Sequence, residues 1–303
     1  VKVLIKQKVS GWFIAWISLI CNIALTAIKV IVGYIFNSTA LLADGIHNGG
    51  DVIASLVTLS SMKVAHQPAD DDHPYGHGKA EDIASALIAL ILAIAGFYLI
   101  YESIHALFRP ANHASIWAFF VALISLIVKS FLYFYTIRLG KKSKSKSLIA
   151  TAYDHLADVW ASLAATVGIG TTFLGNIFNI PYTMYGDPIA GIIVSLLIIT
   201  VSVEIGIKSI NVLMESSVSS KQIETYTKMI DAFPEVKHID RLRAREHGNY
   251  ILIDVRISVP GTLTIQEGHN ITRQIRDTIM TKDTNVEEVL IHLNPWYEHE
   301  DIP

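Results

Sequence analysis

Two stretches of this chain place acids and imidazoles one helical turn apart: Asp44-Gly-Ile-His47-Asn48-Gly-Gly-Asp51 and Tyr153-Asp154-His155-Leu156-Ala157-Asp158. Residues four apart on a helix share a face, so His47/Asp51 and Asp154/Asp158 each offer two donors to one side. Two such faces turned toward each other supply three carboxylates and one imidazole nitrogen, a donor set for a divalent cation. Ligation requires the deprotonated forms, so a cation entering the site expels protons and protons entering it expel the cation. His47 is the member most readily protonated at ordinary pH, since a free imidazole titrates near about pH 6.5. The competing reading is that these side chains cap helices, pair with lysines or line a wet crevice. Asp44 and His155 lie beside the pairs but off the shared faces, where they either support the ligands and relay protons or simply pack. A third cluster, Asp70-Asp71-Asp72-His73-Pro74-Tyr75-Gly76-His77, is kinked by Pro74 and Gly76 and can fold around a small cation. A solvated acidic turn accounts for that cluster almost as well.

The elements that carry the two helical pairs are apolar. Residues 1–207 hold 25 charged side chains in 207, about 12%, whereas residues 208–303 hold 26 in 96, about 27%, an ordinary soluble value. Six apolar runs, 12–36, 38–64, 83–108, 115–139, 147–174 and 188–207, reach the roughly 20 residues that a helix needs to cross about 30 Å of hydrocarbon. Turn signals at Phe36-Asn37, Arg109-Pro110 and Asn179-Ile180-Pro181 fall where breaks are needed. No cleavable signal peptide is expected, because the first run is too long and lacks a small-residue cleavage pattern. Basic residues set the sidedness. Lys2, Lys6 and Lys8 precede the first run, Lys63 and Lys79 flank the second-to-third loop, and Arg138, Lys141, Lys142, Lys144 and Lys146 crowd the fourth-to-fifth connection, against Arg109 alone on the other side. Both termini are therefore expected in the cytosol, and the Lys-Ser alternation over 141–147 reads as a flexible inner loop. A charge buried at bilayer depth costs on the order of 3 kcal/mol, which a bound divalent ion would offset.

The remaining intramembrane polar groups carry structural readings. Asp187-Pro188 reads as the N-cap and first residue of its own helix. Lys29 and Lys63 are near run ends and are expected to snorkel, while Lys129, Glu102 and Glu204 pair or face water. The tail reads as helix 221–233, strand 238–245, a turn at Gly248-Asn249, a strand with Ile251, Ile253, Val255, Ile257 and Val259 on one face, helix 265–280 and strand 286–293. The expected fold is an α-helical membrane domain of six transmembrane helices over 1–207, followed by a small α/β domain (α-β-β-α-β, ferredoxin-like, of the metallochaperone type) over 208–303. Cys21, the single cysteine, excludes an intrachain disulfide and a multi-cysteine metal centre. The net charge of −3 with no basic face argues against nucleic acid. A nucleotide-binding GxxxxGK[ST] loop, an aspartyl-phosphate motif and an HExxH zinc motif are all missing, which leaves neither a primary pump nor an intramembrane hydrolase well supported. A passive channel or metal sensor is the other alternative, and the paired charges inside two helices favour a cycling site over a permanent pore.

Taken together, these residues resemble the cation diffusion facilitator family of metal/proton antiporters. The resemblance rests on Ala43-Asp44-x-x-His47-x-x-x-Asp51, on the loop Gln67-Pro-Ala-Asp-Asp-Asp-His-Pro-Tyr-Gly-His-Gly-Lys-Ala-Glu81, on Asp154-x-x-x-Asp158-Val159 and on Ile291-His-Leu-Asn-Pro295, and it spans nearly the whole chain. It implies a transport site at His47, Asp51, Asp154 and Asp158, and a loop site at Asp70, His73 and His77. In the cytoplasmic domain Asp240, Asp254, His269, His292 and Asn294 occupy the slots of further metal ligands, with Asp240 and Asp254 where zinc- and iron-exporting members carry histidine and Asn294 where they carry aspartate. Asp254, His269 and His292 remain as a single site. The resemblance further implies no enzymatic activity, no resident cofactor, a homodimer with Lys79, Asp71 and Glu215 in a charge cluster, and a plasma-membrane location. The oxygen-rich donors favour Mn²⁺ as the exported ion, exchanged for protons. Histidine at position 47 keeps Zn²⁺ the alternative, with Fe²⁺ a further possibility.

Overall fold

A computed structural model describes residues 2–65, 67–108, 115–143, 146–178, 180 and 182–296. Helices α1 (Lys2–Ile35), α2 (Thr39–Ala65), α3 (Ala80–Leu107), α4 (Ile116–Ser143), α5 (Lys146–Phe178) and α6 (Gly186–Leu213) precede α7 (Ser220–Asp231), β1 (His238–His247), β2 (Tyr250–Pro260), α8 (Ile265–Lys282) and β3 (Val286–Trp296). A short 3₁₀ turn, Thr183–Tyr185, leads into α6. The predicted breaks at Arg109-Pro110, Asn179 and Pro181 and the loop residue Lys144 lie outside the described residues, as do the side chains of Lys2, Lys6, Lys8, Lys63 and Lys146. The chain forms two compact units, 1–56 with 87–206, and 57–86 with 207–303.

Among the described residues, five helical segments have the length and apolarity to cross a bilayer: Ser18–Ile35, Ala80–Leu107, Ile116–Lys142, Thr151–Phe178 and Thr183–Leu213. The other expected span, α2, forms as a 27-residue helix whose apolar character is diluted by Asp44, His47, Asn48 and Asp51. Its polar groups turn inward, with Asp44 and Asn48 fully buried. The outer surfaces are the reverse. On α3, Leu87, Leu90, Ile91, Ile94, Phe97, Tyr98 and Tyr101 are each more than half exposed, a helical stripe that suits lipid and not water. Small side chains let the helices approach: Ala40, Ala118, Ala122, Ala165 and Ala190 pack with Leu41 and Ile169. Gly168 on α5 is required by that approach, because a Cβ there would lie 2.3 Å from the Ala190 Cβ on α6.

Two local expectations are corrected. The chain at 141–147 is more helical than a flexible loop: α4 runs to Ser143 and α5 starts at Lys146. Lysine is a good helix former, and Lys141 and Lys142 in the last turn of α4 complement its dipole. Asp187, expected to cap its own helix, instead caps α2. Its carboxylate accepts from Ser38 Oγ at 2.9 Å, from the Thr39 amide at 3.1 Å and from the Ala40 amide at 3.0 Å. The sequence signal was real but local; Asn37, with φ 52, ends α1 so sharply that the free amides of α2 emerge beside α6. Asp187→Ala is expected to destabilise the helical unit by about 2 kcal/mol or more, since it strands buried donors as well as removing a cap. Thermal unfolding in detergent reads this directly, and an unchanged midpoint would mean that the α2 amides find other acceptors.

In the second unit, β1 pairs antiparallel with β2 and β2 parallel with β3, giving the order β1-β2-β3. The α-β-β-α-β order is the one expected. Capping boxes open both helices, Ser219 with Gln222 on α7 and Thr264 with Glu267 on α8. Ile251, Ile253, Val255, Ile257 and Val259 alternate onto the buried face of β2 and meet Tyr226, Ile230, Ile271, Ile275 and Ile279 from the helices. The hairpin turn needs Gly248 at φ 68.

Candidate metal centre

Helix α2 brings His47 and Asp51 to one face, and α5 brings Asp158 to meet them. Ligand atoms of these three residues lie within 4.8 Å of one another, and His47 Nε2 is 3.6 Å from Asp158 Oδ1. This spacing matches a cluster that one cation can gather. Asp154, the fourth expected ligand, is exposed one turn earlier on α5 and is not part of that group of three.

Around the triad is a polar network that the sequence reading did not assemble. Lys129, from the middle of α4, places Nζ 2.5 Å from Asp158 Oδ2 and donates to Asn22 Oδ1 on α1 at 2.8 Å. Lys29 on α1 pairs with Asp44 at 2.7 Å, and Ser162 donates to both Asp44 oxygens. Lys29 was expected to snorkel; it is 0% exposed and turned inward, because a carboxylate at the same depth is a stronger partner than the distant interface. His155 is buried, with Nε2 3.1 Å from Ser18 Oγ and Nδ1 3.8 Å from Asp158 Oδ2, which makes it a neighbour of the triad rather than a member. Asn48 is fully buried, and among the described residues neither of its amide atoms has a hydrogen-bond partner. The signal for Lys129 was available: it lies 13 residues from each end of Ile116–Lys142, about 20 Å of helix, beyond the reach of a lysine.

The loop before α3 forms a second cluster. Asp70, His73 and His77 present ligand atoms within 4.8 Å of one another. Asp70 Oδ1 is 3.4 Å from His73 Nδ1, Asp70 Oδ2 is 3.4 Å from His77 Nε2, and the two rings are 4.4 Å apart. The Asp70 carboxylate also closes the turn by accepting from the His73 amide at 2.7 Å and the Asp72 amide at 3.1 Å. That backbone bond from His73 holds its carboxyl below the ordinary carboxylate range, with the two imidazoles adding to the effect. The loop rests on the β1–β2 hairpin of its own unit: Tyr250 Oη donates to the Tyr75 carbonyl at 2.5 Å, and a Cβ on Gly248 would fall 2.1 Å from the Gly78 carbonyl oxygen. Lys79 pairs with Glu215 at 3.2 Å, which Arg245 approaches at 3.7 Å, while Asp71 is exposed on the loop. Lys79 holds the Glu215 carboxyl below its usual range.

The candidate ligands of the second unit are dispersed among other partners. Asp240 accepts from Ser258 Oγ at 2.9 Å and from Asn294 Nδ2 at 2.8 Å, and Asp254 accepts from Arg245 Nη1 at 2.8 Å. His292 is exposed opposite Arg256 in the sheet register, and His269 is exposed on α8. Among the described residues, Asp240, Asp254, His269 and His292 form no group of three with ligand atoms in common reach.

Residues 15–214 match the model of the cation efflux transmembrane domain, and residues 218–296 that of the cation efflux protein cytoplasmic domain. The chain is 46% identical over 285 residues to the manganese efflux system protein MneP of Bacillus subtilis, covering 94% of this chain and 96% of that protein. It is 30% identical over 292 residues to the manganese efflux system protein MneS of the same organism, covering 96% of this chain and 97% of that one. Among solved structures it is similar to the metal-bound C-terminal domain of the CzcD transporter from Thermotoga maritima, 24% identical with a TM-score of 0.25, across 27% of this chain and all of that one.

Proposed function

The chain belongs to the cation diffusion facilitator family of metal-efflux transporters, and from that premise we propose that it expels Mn²⁺ from the cytosol in exchange for protons, at a site built from His47, Asp51 and Asp158 with Asp154 on the same helix. It is a membrane transporter and not an enzyme, and it pairs as a homodimer. The observation that carries the site assignment is the convergence of His47 and Asp51 from α2 with Asp158 from α5. Lipid around an apolar helix bundle penalises such a cluster unless it is used, and two helices that can part and rejoin offer a site open to either side in turn.

The exchange follows from ligand chemistry. Metal binds deprotonated carboxylates and a neutral imidazole; protons arriving from outside occupy the same atoms and release it. The cycle therefore needs no nucleotide. Manganese is favoured because oxygen outnumbers nitrogen three to one in the four-residue set, and relatives at 46% and 30% identity are named manganese efflux proteins. The imidazole of His47 keeps Zn²⁺ as the second substrate. In the same reading Asp70, His73 and His77 serve as a loop site on the cytosolic side and residues 208–303 as the cytoplasmic domain, and the basic loops support a cytosolic position for both termini of a plasma-membrane protein.

The metal assignment is tested by competition transport. His47→Asn removes the only nitrogen donor of the set, so the Mn²⁺-over-Zn²⁺ transport ratio is expected to rise about ten-fold or more, whereas Asp154→His shifts it toward Zn²⁺. A wild type that moves Zn²⁺ but no Mn²⁺ under a proton gradient would overturn the choice of manganese.

A further inference from the structure

The buried charges around the triad do not balance by pairs alone. Asp44 is matched by Lys29 and Asp158 by Lys129, while Asp51, among the described residues, has no cationic side chain within ion-pair distance. Lys129 is fully buried at the centre of its helix and touches one of the three residues that a metal would use. It has two acceptors within reach, Asp158 Oδ2 at 2.5 Å and Asn22 Oδ1 at 2.8 Å, and these come from different helices, α5 and α1.

We propose that Lys129 is a resident counter-cation of the metal site, neutralising Asp158 while the site holds no divalent ion and withdrawing onto Asn22 as the ion arrives. This rests on the assignment of His47, Asp51 and Asp158 as the transport site. The physical argument is competition for one carboxylate. A divalent ion gathered by Asp51 and Asp158 brings two positive charges to within a few ångströms of the ammonium, where the low local dielectric makes their repulsion strong. The ammonium must yield part of its contact with Asp158 for the metal to take full hold, and Asn22 is placed to receive it. When metal departs, the ammonium returns, so Asp158 never stands as an uncompensated buried charge in either state. Such a device lowers the site's affinity and speeds release, which a transporter requires and a storage site does not. Lys129 is thus a positioning residue that acts through Asp158, and Asn22 is its second resting place.

The test is a double-mutant cycle in the full-length protein, with the loop ligands His73 and His77 replaced by alanine so that calorimetric heats report the transport site. Lys129→Gln is expected to bind Mn²⁺ ten-fold or more tighter, and in proteoliposomes to lower KM while cutting kcat several-fold, because release becomes slow. Asn22→Ala, which removes the second resting place, is expected to weaken Mn²⁺ binding several-fold, and this effect should vanish when Lys129 is already Gln. Unchanged or weaker binding by Lys129→Gln, or an Asn22 effect that persists without Lys129, would overturn the proposal. Should Lys129→Gln fail to fold, Asn22→Ala alone decides, and unaltered affinity there would refute it. Asp51→Ala in the same assays separates the two readings. If it retains wild-type binding and transport, the site assignment has failed; if it loses both while Lys129→Gln binds no tighter, only the counter-cation has.

Discussion

Asp51→Ala is expected to lose metal transport by about 100-fold or more while the protein still folds and dimerises. Loss of groups that merely support metal ligands costs about 10–100-fold, and removing a charged ligand from a site with so few should reach at least the top of that range. The folded state should tolerate the change, because among the described residues no lysine or arginine is paired to Asp51 and none is orphaned by its loss. Asp158→Ala differs in that respect. It also abolishes transport, but it strips Lys129 of its buried partner, and breaking a buried pair from one side costs about 3–5 kcal/mol. Size-exclusion profiles and thermal midpoints in detergent, set beside transport rates, therefore give different signatures for the two variants. Near-wild-type transport by either would remove the triad from the mechanism.

The second large effect is expected from truncation after Ser219, which deletes α7, α8 and the three-stranded sheet. Two consequences follow from contacts inside the second unit. The loop bearing Asp70, His73 and His77 loses the hairpin on which it rests, including the bond from Tyr250 to the Tyr75 carbonyl. Lys79 keeps Glu215, but Glu215 loses Arg245. The truncated protein should dimerise at least ten-fold more weakly and transport at least ten-fold more slowly, with its helical content in the membrane domain preserved. Cross-linking against concentration together with flux per protomer would read both, and full transport by the truncated chain would deny the tail any part in the cycle.

The helical framework was legible because length and apolarity are properties of contiguous residues, and the tail order because period two and period 3.6 are equally local. The same holds for His47, Asp51 and Asp158, whose spacing places them on helix faces before any packing is known. What was not legible is the choice of partner across the bundle. Asp187 carries every local mark of an N-cap for α6, and only the sharp turn at Asn37 brings the amides of α2 to it. Lys29 and Lys129 could be seen as misplaced charges, but nothing in the chain's order says that one meets Asp44 and the other Asp158 and Asn22. In the tail, alternation sets Asp254 on the face of β2 opposite Ile253 and Val255, yet its engagement with Arg245 depends on the register between β1 and β2, which the turn at Gly248 sets.

Exchange of Mn²⁺ for protons at the α2–α5 triad can be read by flux in proteoliposomes holding the purified protein. With an acidic lumen, a neutral exterior and Mn²⁺ supplied outside, the wild type should accumulate Mn²⁺ while a trapped pH dye reports proton loss from the lumen. Dissipating the gradient should slow both signals and end accumulation above the external Mn²⁺ concentration, and substituting Asp51→Ala should bring both to the level of empty vesicles. Mn²⁺ entry at an equal rate with and without the pH gradient, or entry with no accompanying proton movement, would contradict the account and leave a passive pathway in its place.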